Sequence, residues 1–86
     1  MKIIFSSRAW EDYLRWQLQD RKTLKRINTL IADIAQNGNE GIGKPEPLKR
    51  GFQGYWSRRI NDAHRLIHKA TDDGVLIAQC RYHYEN

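Results

Sequence analysis

Hydrophobic positions in the first half of the chain recur at intervals of three and four residues, as they do along one face of an α-helix. A short run at residues 2–5 precedes them and is rich in β-branched and aromatic side chains, which favours a strand. Ser6 or Ser7 can then cap a first helix by accepting a hydrogen bond from a free backbone N–H. The positions expected to form the buried face of this helix are Trp10, Tyr13, Leu14 and Leu18.

A second helix is predicted to begin at Asp20, a capping residue, and to end at Asn37-Gly38, where a left-handed residue can stop it. Its apolar stripe comprises Leu24, Ile27, Leu30, Ile31 and Ile34. Because the link between the helices at Gln19-Asp20 is short, we expect an antiparallel helix hairpin. The basic residues beside the stripe are either a solvated face or a ridge that faces RNA.

The second half of the chain predicts three consecutive strands, at residues 55–60, 64–71 and 75–84, joined by turns into a meander. The last strand begins apolar on both faces, as a central strand does, and ends in an arginine, a histidine and two tyrosines. Residues 39–43 are interpreted as a flexible connector. Their glycines only superficially suggest a phosphate-binding loop, since such loops follow a strand and precede a helix.

The side chains that share a face of this meander depend on the length of its turns. A three-residue turn at residues 72–74 would pair Thr71 with Val75 and place Arg65 opposite Arg81. Arg65, Arg81 and His83 would then project from one face. A three-residue turn at residues 61–63 would place Arg59 opposite Arg65, whereas a turn of two or four residues would substitute Arg58.

The length and charge of the chain narrow the choice of function. A chain of 86 residues forms one small domain with one core. It carries 15 Lys and Arg against 10 Asp and Glu, which gives a net charge of +5 and a pI of about 9.7. This balance favours a polyanion or an acidic protein as partner, or serves only solubility.

The single cysteine cannot form an internal disulfide, and Cys80 lies among apolar residues, so we expect a small buried side chain. No apolar run approaches the ~20 residues of a membrane span. The first residues lack the long apolar core of a signal peptide. These features predict a cytoplasmic protein with no membrane partner.

Residues 44–49, Lys-Pro-Glu-Pro-Leu-Lys, hold an acidic side chain in a stiff segment. Each proline has a restricted φ and pushes the residue before it, Lys44 or Glu46, into an extended conformation. A general base benefits from such pre-orientation. Glu46 is therefore either a general base or a surface carboxylate in a rigid turn.

A carboxylate, a histidine and clustered arginines are sufficient to cleave RNA through its 2′-hydroxyl group. The carboxylate takes the hydroxyl proton, and a histidine with a pKa of about 6.5 protonates the departing 5′-oxygen. Arginine stabilises the charge that builds on phosphorus. No metal is expected, because His64, His68 and His83 lack zinc-ligand spacing.

At these residues the chain resembles the YoeB toxins of bacterial toxin–antitoxin pairs, which belong to the wider RelE-like group of ribosome-dependent mRNA endonucleases. The similar elements are residues 44–49, residues 54–60 (Gly-Tyr-Trp-Ser-Arg-Arg-Ile), residues 64–66 (His-Arg-Leu) and residues 81–84 (Arg-Tyr-His-Tyr). The start of the chain, with Trp10, Trp16 and Asp-Tyr-Leu at residues 12–14, is similar to the same family. The resemblance covers nearly the whole chain.

The resemblance implies an α+β fold of the microbial-ribonuclease or RelE-like type. Two N-terminal helices would pack on a mostly antiparallel, twisted sheet in one domain of residues 1–86. It also implies an endoribonuclease without metal or cofactor that cuts mRNA in the A site of the 70S ribosome. By resemblance, Glu46 is the general base, His83 the general acid, Arg65 the phosphate stabiliser and Tyr84 an orienting or stacking group. The residues expected to contact RNA are Lys44, Lys49, Arg59 and Arg81.

The resemblance further implies a homodimer that is silenced by a YefM-like antitoxin, whose disordered segment folds over the active face. Operator DNA would be bound only through that complex. The alternative is a catalytically weak or inactive module that binds RNA or the antitoxin and acts as a co-repressor.

Overall fold

The computed structural model describes residues 1–82 as two helices packed against one five-stranded sheet. The elements in chain order are β1 (Ile3–Phe5), α1 (Ser7–Gln19), α2 (Arg21–Asn37), β2 (Glu46–Pro47), β3 (Tyr55–Arg59), β4 (Arg65–Thr71) and β5 (Gly74–Gln79). The strands lie in the order β1-β5-β4-β3-β2, and only β1 and β5 are parallel. The predicted α+β class, with helices on a mostly antiparallel sheet, is confirmed.

The first helix is capped as predicted but buries a different face. The Ser6 hydroxyl accepts a hydrogen bond from the Ala9 N–H at 3.0 Å. The buried residues of α1 are Ala9, Asp12 and Trp16. Of the residues predicted to be buried, Tyr13 is half-buried against the core, whereas Trp10, Leu14 and Leu18 are exposed.

Polar contacts explain why this prediction was wrong. The Trp16 indole N–H donates to the Cys80 carbonyl at 2.8 Å, and the Asp12 carboxylate accepts from the Cys80 N–H at 3.1 Å. A carboxylate that bonds a buried backbone N–H can occupy the inner face of a helix. A hydrophobic pattern does not include a buried carboxylate, so it predicts the exposed apolar stripe as the buried face.

The second helix follows the predicted pattern. The Asp20 carboxylate accepts from the Lys22 and Thr23 N–H groups, and Gly38 ends the helix with a φ of 67°. Three residues of its apolar stripe are buried, namely Ile27, Leu30 and Ile34, and the other two, Leu24 and Ile31, are partly buried against the core. The Tyr13 hydroxyl donates to the Asn28 side chain at 2.7 Å, as an antiparallel helix hairpin requires.

The register of the first hairpin is the three-residue alternative, because Arg59 is paired with Arg65. The second hairpin differs from the prediction: Thr71 pairs with Gly74 across a two-residue turn. Gly74 has a φ of 146°, and a Cβ on this residue would lie 2.1 Å from the Lys2 carbonyl oxygen. A glycine at this position therefore lets β1 approach the turn closely.

A β-bulge between the β4 residues Ile67 and His68 shifts the pairing, so that Ile67 lies opposite Gln79. The last strand ends at Gln79 rather than at Tyr84, and the chain bends at residues 81–82. The prediction of one continuous strand over residues 75–84 is therefore wrong within the described part of the chain.

The core lies between the two helices and one face of the sheet. Its buried members are Ala9, Trp16, Ile27, Leu30, Ile34, Ile60, Leu66, Val75, Ile77 and Cys80. Cys80 is completely buried, which confirms its interpretation as a small buried side chain, and this burial raises the pKa of its thiol to about 12. Neither of the described helices is long and apolar enough to cross a membrane.

Candidate functional site

The helices cover one face of the sheet, and the other face carries a group of polar and charged residues. Leu66 of β4 belongs to the core beneath the helices, so its neighbours Arg65 and Ile67 point the opposite way. Paired residues on adjacent antiparallel strands share a face. The resulting open face comprises Glu46, Tyr55, Ser57, Arg59, Arg65, Ile67, Lys69 and Gln79.

Glu46 lies at the edge of this face, in a short strand that β3 fixes in place. It pairs with Ser57, which in turn pairs with Ile67. Just beyond β2, the Leu48 N–H donates to the Tyr55 carbonyl at 2.9 Å. Glu46 is exposed and extended, as its position before a proline predicts.

Arg65 lies within reach of the region in front of Glu46. The two residues stand two strand spacings apart, about 10 Å, and are offset by two residues along the strands, about 7 Å. Both side chains project to the same side of the sheet. One substrate strand lying across this face could therefore contact both side chains, with the Arg65 guanidinium held at the turn that precedes β4.

Arg59 and Arg65 form a cross-strand pair of like charges on the open face. Arg65 Nη1 donates to the carbonyls of Asn61 at 2.6 Å and His64 at 3.0 Å. The Nε of Arg59 is buried without a hydrogen-bond partner among the described residues. Like charges directly opposite each other destabilise a sheet, and an anion bound between them removes that cost.

The flanking lysines are exposed at both ends of the proline-containing segment. Lys49 follows Leu48 on the exposed side of the loop between β2 and β3. Lys44 has a φ of 51°, so the prediction that Pro45 holds it extended is wrong. The chain turns sharply there because Gly43 is bound to β3 through its carbonyl, which accepts from the Arg59 N–H at 2.7 Å.

Arg81 does not join the open face. Its guanidinium carbon lies 5.0 Å from the centre of the Trp16 ring on α1 and 5.3 Å from the Tyr82 ring. The prediction that Arg65 and Arg81 project from one face is wrong, because strand pairing ends before Arg81. Arg8, Arg15 and Arg81 line a shallow hollow of about 150 Å³ beside α1.

His64 binds the backbone that leads into the last four residues. Its Nδ1 accepts from the Tyr82 N–H at 2.7 Å, and the Tyr82 carbonyl accepts from the Arg65 N–H at 3.0 Å. Burial lowers the pKa of His64, and the positive charges of Arg81 and Arg65 lower it further. The predicted acid His83 and the predicted orienting group Tyr84 lie outside the described residues.

An apolar hollow of about 380 Å³ lies on the open face, next to the cross-strand set Glu46, Ser57 and Ile67. Its lining includes Leu48 and Phe52 from the loop after β2, Tyr55 and Ile67 from the open face, and Gln79. Gln79 is the polar residue here, and its amide N–H donates to the Arg81 carbonyl at 3.1 Å.

Sequence reasoning missed a buried guanidinium behind the open face. Arg58 lies on the helix side of β3, is fully buried, and binds Asp33 of α2 together with carbonyls of residues 38–42. Residues 39–43, predicted to be a flexible connector, are bound to this cation through the carbonyls of Glu40 and Ile42. The strand pattern alone left open whether Arg58 or Arg59 would face outward.

Within residues 1–82, no group of three or more histidine, cysteine or acidic side chains is arranged to hold a metal ion. His68 lies on the helix side of the sheet, where burial and the neighbouring Arg58 charge lower its pKa to about 4. It is therefore neutral at physiological pH and away from the open face.

Comparison with known proteins gives the family. Residues 5–84 match the model of the YoeB-like toxin of bacterial type II toxin–antitoxin systems. Toxin YoeB of Streptomyces coelicolor is 61% identical over 84 residues, covering 98% of this chain and 100% of the relative. Toxin YoeB of Escherichia coli K12 is 55% identical with the same coverage of both chains.

Solved structures share the fold over nearly the whole length. A YoeB/ParE toxin from Agrobacterium tumefaciens superimposes with a TM-score of 0.94 at 41% identity, covering 98% of this chain and 100% of that one. The YoeB dimer from Staphylococcus aureus superimposes with a TM-score of 0.91 at 50% identity. A YoeB–YefM complex from the same species superimposes with a TM-score of 0.89 at 49% identity, and each comparison covers 98% of both chains. This chain belongs to the YoeB family of toxins from bacterial type II toxin–antitoxin systems.

Proposed function

We propose that this toxin is a metal-independent endoribonuclease that cleaves mRNA in the A site of the 70S ribosome. The observation that carries the proposal is the open face itself. A carboxylate at Glu46 and the like-charged pair Arg59 and Arg65 project from one side of the sheet, which supports a shared role in binding and cleaving one nucleic-acid strand. The family to which the chain belongs supports the choice of RNA as substrate.

In the proposed reaction, the Glu46 carboxylate removes the proton of the 2′-hydroxyl group. The 2′-oxygen attacks the adjacent phosphorus and the bond from phosphorus to the 5′-oxygen breaks. His83 donates a proton to that leaving oxygen. The products are a 2′,3′-cyclic phosphate and a free 5′-hydroxyl, so no water is consumed in this step.

Arg65 has the role of stabilising the negative charge that increases on the phosphate oxygens in the transition state. Its Nη1 is held by two backbone carbonyls, so the guanidinium needs little reorganisation when charge develops. Arg59 adds positive charge from the opposite strand. Tyr84 orients or stacks on the substrate, and Lys44 and Lys49 contact RNA phosphates outside the reacting group. Arg81 would contact RNA beside α1 rather than on the open face.

Antitoxin binding and self-association belong to the same proposal. The Staphylococcus aureus relatives include a YoeB dimer and a YoeB–YefM complex. We therefore infer that this toxin forms a homodimer, is silenced by a YefM-like antitoxin in the cytoplasm, and contacts operator DNA only through that complex. The net charge of +5 suits both an acidic antitoxin and the ribosome.

A translation extract tests the assignment of roles. Primer extension on a defined mRNA is expected to show cuts at the A-site codon that are lost with Glu46→Ala, Arg65→Ala or His83→Ala. Each loss is expected to be about 100-fold or more, the size typical of a general acid, base or oxyanion contact. Lys2→Ala, an exposed cation before β1, is the matched control and should cleave as the wild type does.

Unchanged cleavage by both Glu46→Ala and His83→Ala would end this mechanism. It would favour the second candidate, a non-catalytic module that binds RNA or the antitoxin. The exposed stripe of Trp10, Leu14 and Leu18 on α1 supports that candidate, because such a stripe suits a protein partner. In that case His83→Ala would leave both growth inhibition and antitoxin binding intact.

A further inference from the structure

Arg58 lies directly behind the proposed site, on the helix side of β3. It follows Ser57, the residue paired with Glu46, and its side chain is completely buried. A buried charge is costly unless it is paired and fully hydrogen-bonded. The partners of this guanidinium therefore indicate what it holds in place.

The partners are one carboxylate and three backbone carbonyls from a single loop. Nη1 donates to Asp33 Oδ2 at 2.5 Å and to the Ile42 carbonyl at 2.9 Å. Nη2 donates to the carbonyls of Gly38 at 2.6 Å and Glu40 at 2.9 Å. Asp33 also accepts from the Ile42 N–H at 3.1 Å, so the same ion pair binds both polar groups of that residue.

This loop leads without interruption to Glu46. After Ile42, the Gly43 carbonyl accepts from the Arg59 N–H, and a Cβ on Gly43 would lie 2.8 Å from the Leu30 side chain. Two residues later Pro45 restricts the backbone that enters β2. The path from the end of α2 to Glu46 is thus bound to the core first by Arg58 and then by Gly43.

We propose that Arg58 and Asp33 are positioning residues for Glu46. The buried guanidinium draws the carbonyls of residues 38–42 inward and fixes where β2 begins, and so places the Glu46 carboxylate opposite the Arg59–Arg65 pair. This inference rests on the proposed role of Glu46 as general base. It assigns a catalytic consequence to two residues on the far side of the sheet from the substrate.

Arginine is required at this position by the geometry of its donors. Its planar guanidinium directs two N–H groups from Nη1 and two from Nη2, and all four hydrogen bonds are made. A lysine keeps the charge but has three donors on one atom, so it cannot reach the same set of acceptors. Arg58→Lys therefore releases part of the loop while preserving the buried charge.

The test measures single-turnover cleavage of ribosome-bound mRNA by Arg58→Lys and Asp33→Asn. We expect the cleavage rate at saturating toxin to fall about 10- to 100-fold in each, because a displacement of about 1 Å in a catalytic group costs up to 100-fold. The toxin concentration that gives half-maximal rate should change less than threefold. Ile27→Val, a core change on α2 away from the loop, is the control for lost stability and should keep the wild-type rate.

A double-mutant comparison separates positioning from general destabilisation. If Arg58 and Asp33 act through Glu46, neither change should lower the rate further in a Glu46→Gln background. Equal fold losses in both backgrounds, or a wild-type rate in Asp33→Asn, would overturn the inference. If Arg58→Lys does not fold, Asp33→Asn decides the question alone.

The same data distinguish failure of this inference from failure of the proposed function. A wild-type rate for Glu46→Gln would refute the role of Glu46 itself. A large loss for Glu46→Gln, combined with losses for Arg58→Lys and Asp33→Asn that are additive to it, would refute only the positioning role.

Discussion

At the scale of single residues, neighbouring side chains of like chemistry have opposite surroundings in this protein. Arg58 is buried on the helix side of β3, where both of its Nη atoms are hydrogen-bonded and its Nε has no partner among the described residues, whereas Arg59 meets Arg65 on the open face. The difference follows from the alternation of a strand, so a one-residue change of register would exchange the two. Each arginine therefore depends on the three-residue turn at residues 61–63 for its role.

His68 gives a prediction about the pH dependence of stability. It is buried on the helix side with a pKa of about 4, against 6.5 for an unperturbed histidine. As the pH falls, the histidine of the unfolded chain takes up its proton at a higher pH than the buried histidine of the folded chain does. Neutral His68 therefore makes its full contribution to the free energy of unfolding above pH 6.5. It should decrease progressively to about pH 4, with a total loss of about 3 kcal/mol in the free energy of unfolding.

Urea unfolding at a series of pH values between 7.5 and 4 measures this loss. His68→Gln has no titrating group at that position and should show a flatter profile, so the difference between the two curves isolates the histidine. The pKa values of Asp20 and Asp33 are lowered from their ordinary value of 3.8, so these carboxylates affect stability only below the pH range of this experiment. Parallel curves for the two proteins would show that His68 is not held neutral by burial.

At the scale of elements, α1 shows how polar contacts can outweigh a hydrophobic pattern. Its apolar residues Leu14 and Leu18 face solvent, while Asp12 and Trp16 face the sheet and bind the backbone of Cys80. The second helix has no such contacts on its stripe, and there the periodicity alone identified the buried face. The turn between α1 and α2 was predictable because Asp20 is a capping residue with a local mechanism.

Substitutions on the two faces of α1 are expected to have different effects on the free energy of unfolding. Asp12→Ala removes the acceptor of the buried Cys80 N–H and should lower the free energy of unfolding by about 1–3 kcal/mol. Leu18→Ala, at a position that is 88% exposed, should change it by less than about 0.5 kcal/mol. Chemical denaturation of the two variants checks both values. A larger cost for Leu18→Ala than for Asp12→Ala would restore the face that the hydrophobic pattern predicted.

At the scale of the whole molecule, the sheet separates two tasks. One face packs on the helices and forms the core; the other carries Glu46, Arg59 and Arg65. The sequence was sufficient to predict the helices, the meander and these three residues as candidates, since each depends on local pattern or on family resemblance.

Other features of the molecule depend on distant contacts, which local pattern does not contain. The loop of residues 38–43 is ordered by Arg58, a residue more than a dozen positions later in the chain. The end of β5 is set by a bulge and by the contacts of Cys80 and Arg81 with α1. Local pattern alone therefore predicts a flexible connector and a continuous last strand.

The chemical ends of the cleaved RNA test the central claim most directly. Attack by a 2′-oxygen that Glu46 has deprotonated predicts a 2′,3′-cyclic phosphate on one fragment and a 5′-hydroxyl on the other. Mass spectrometry of the fragments released from mRNA-programmed ribosomes should show these ends, and their yield should fall about 100-fold or more with Glu46→Gln. Fragments that carry a 5′-phosphate and a 3′-hydroxyl, or cyclic-phosphate ends formed equally fast by Glu46→Gln, would contradict the account.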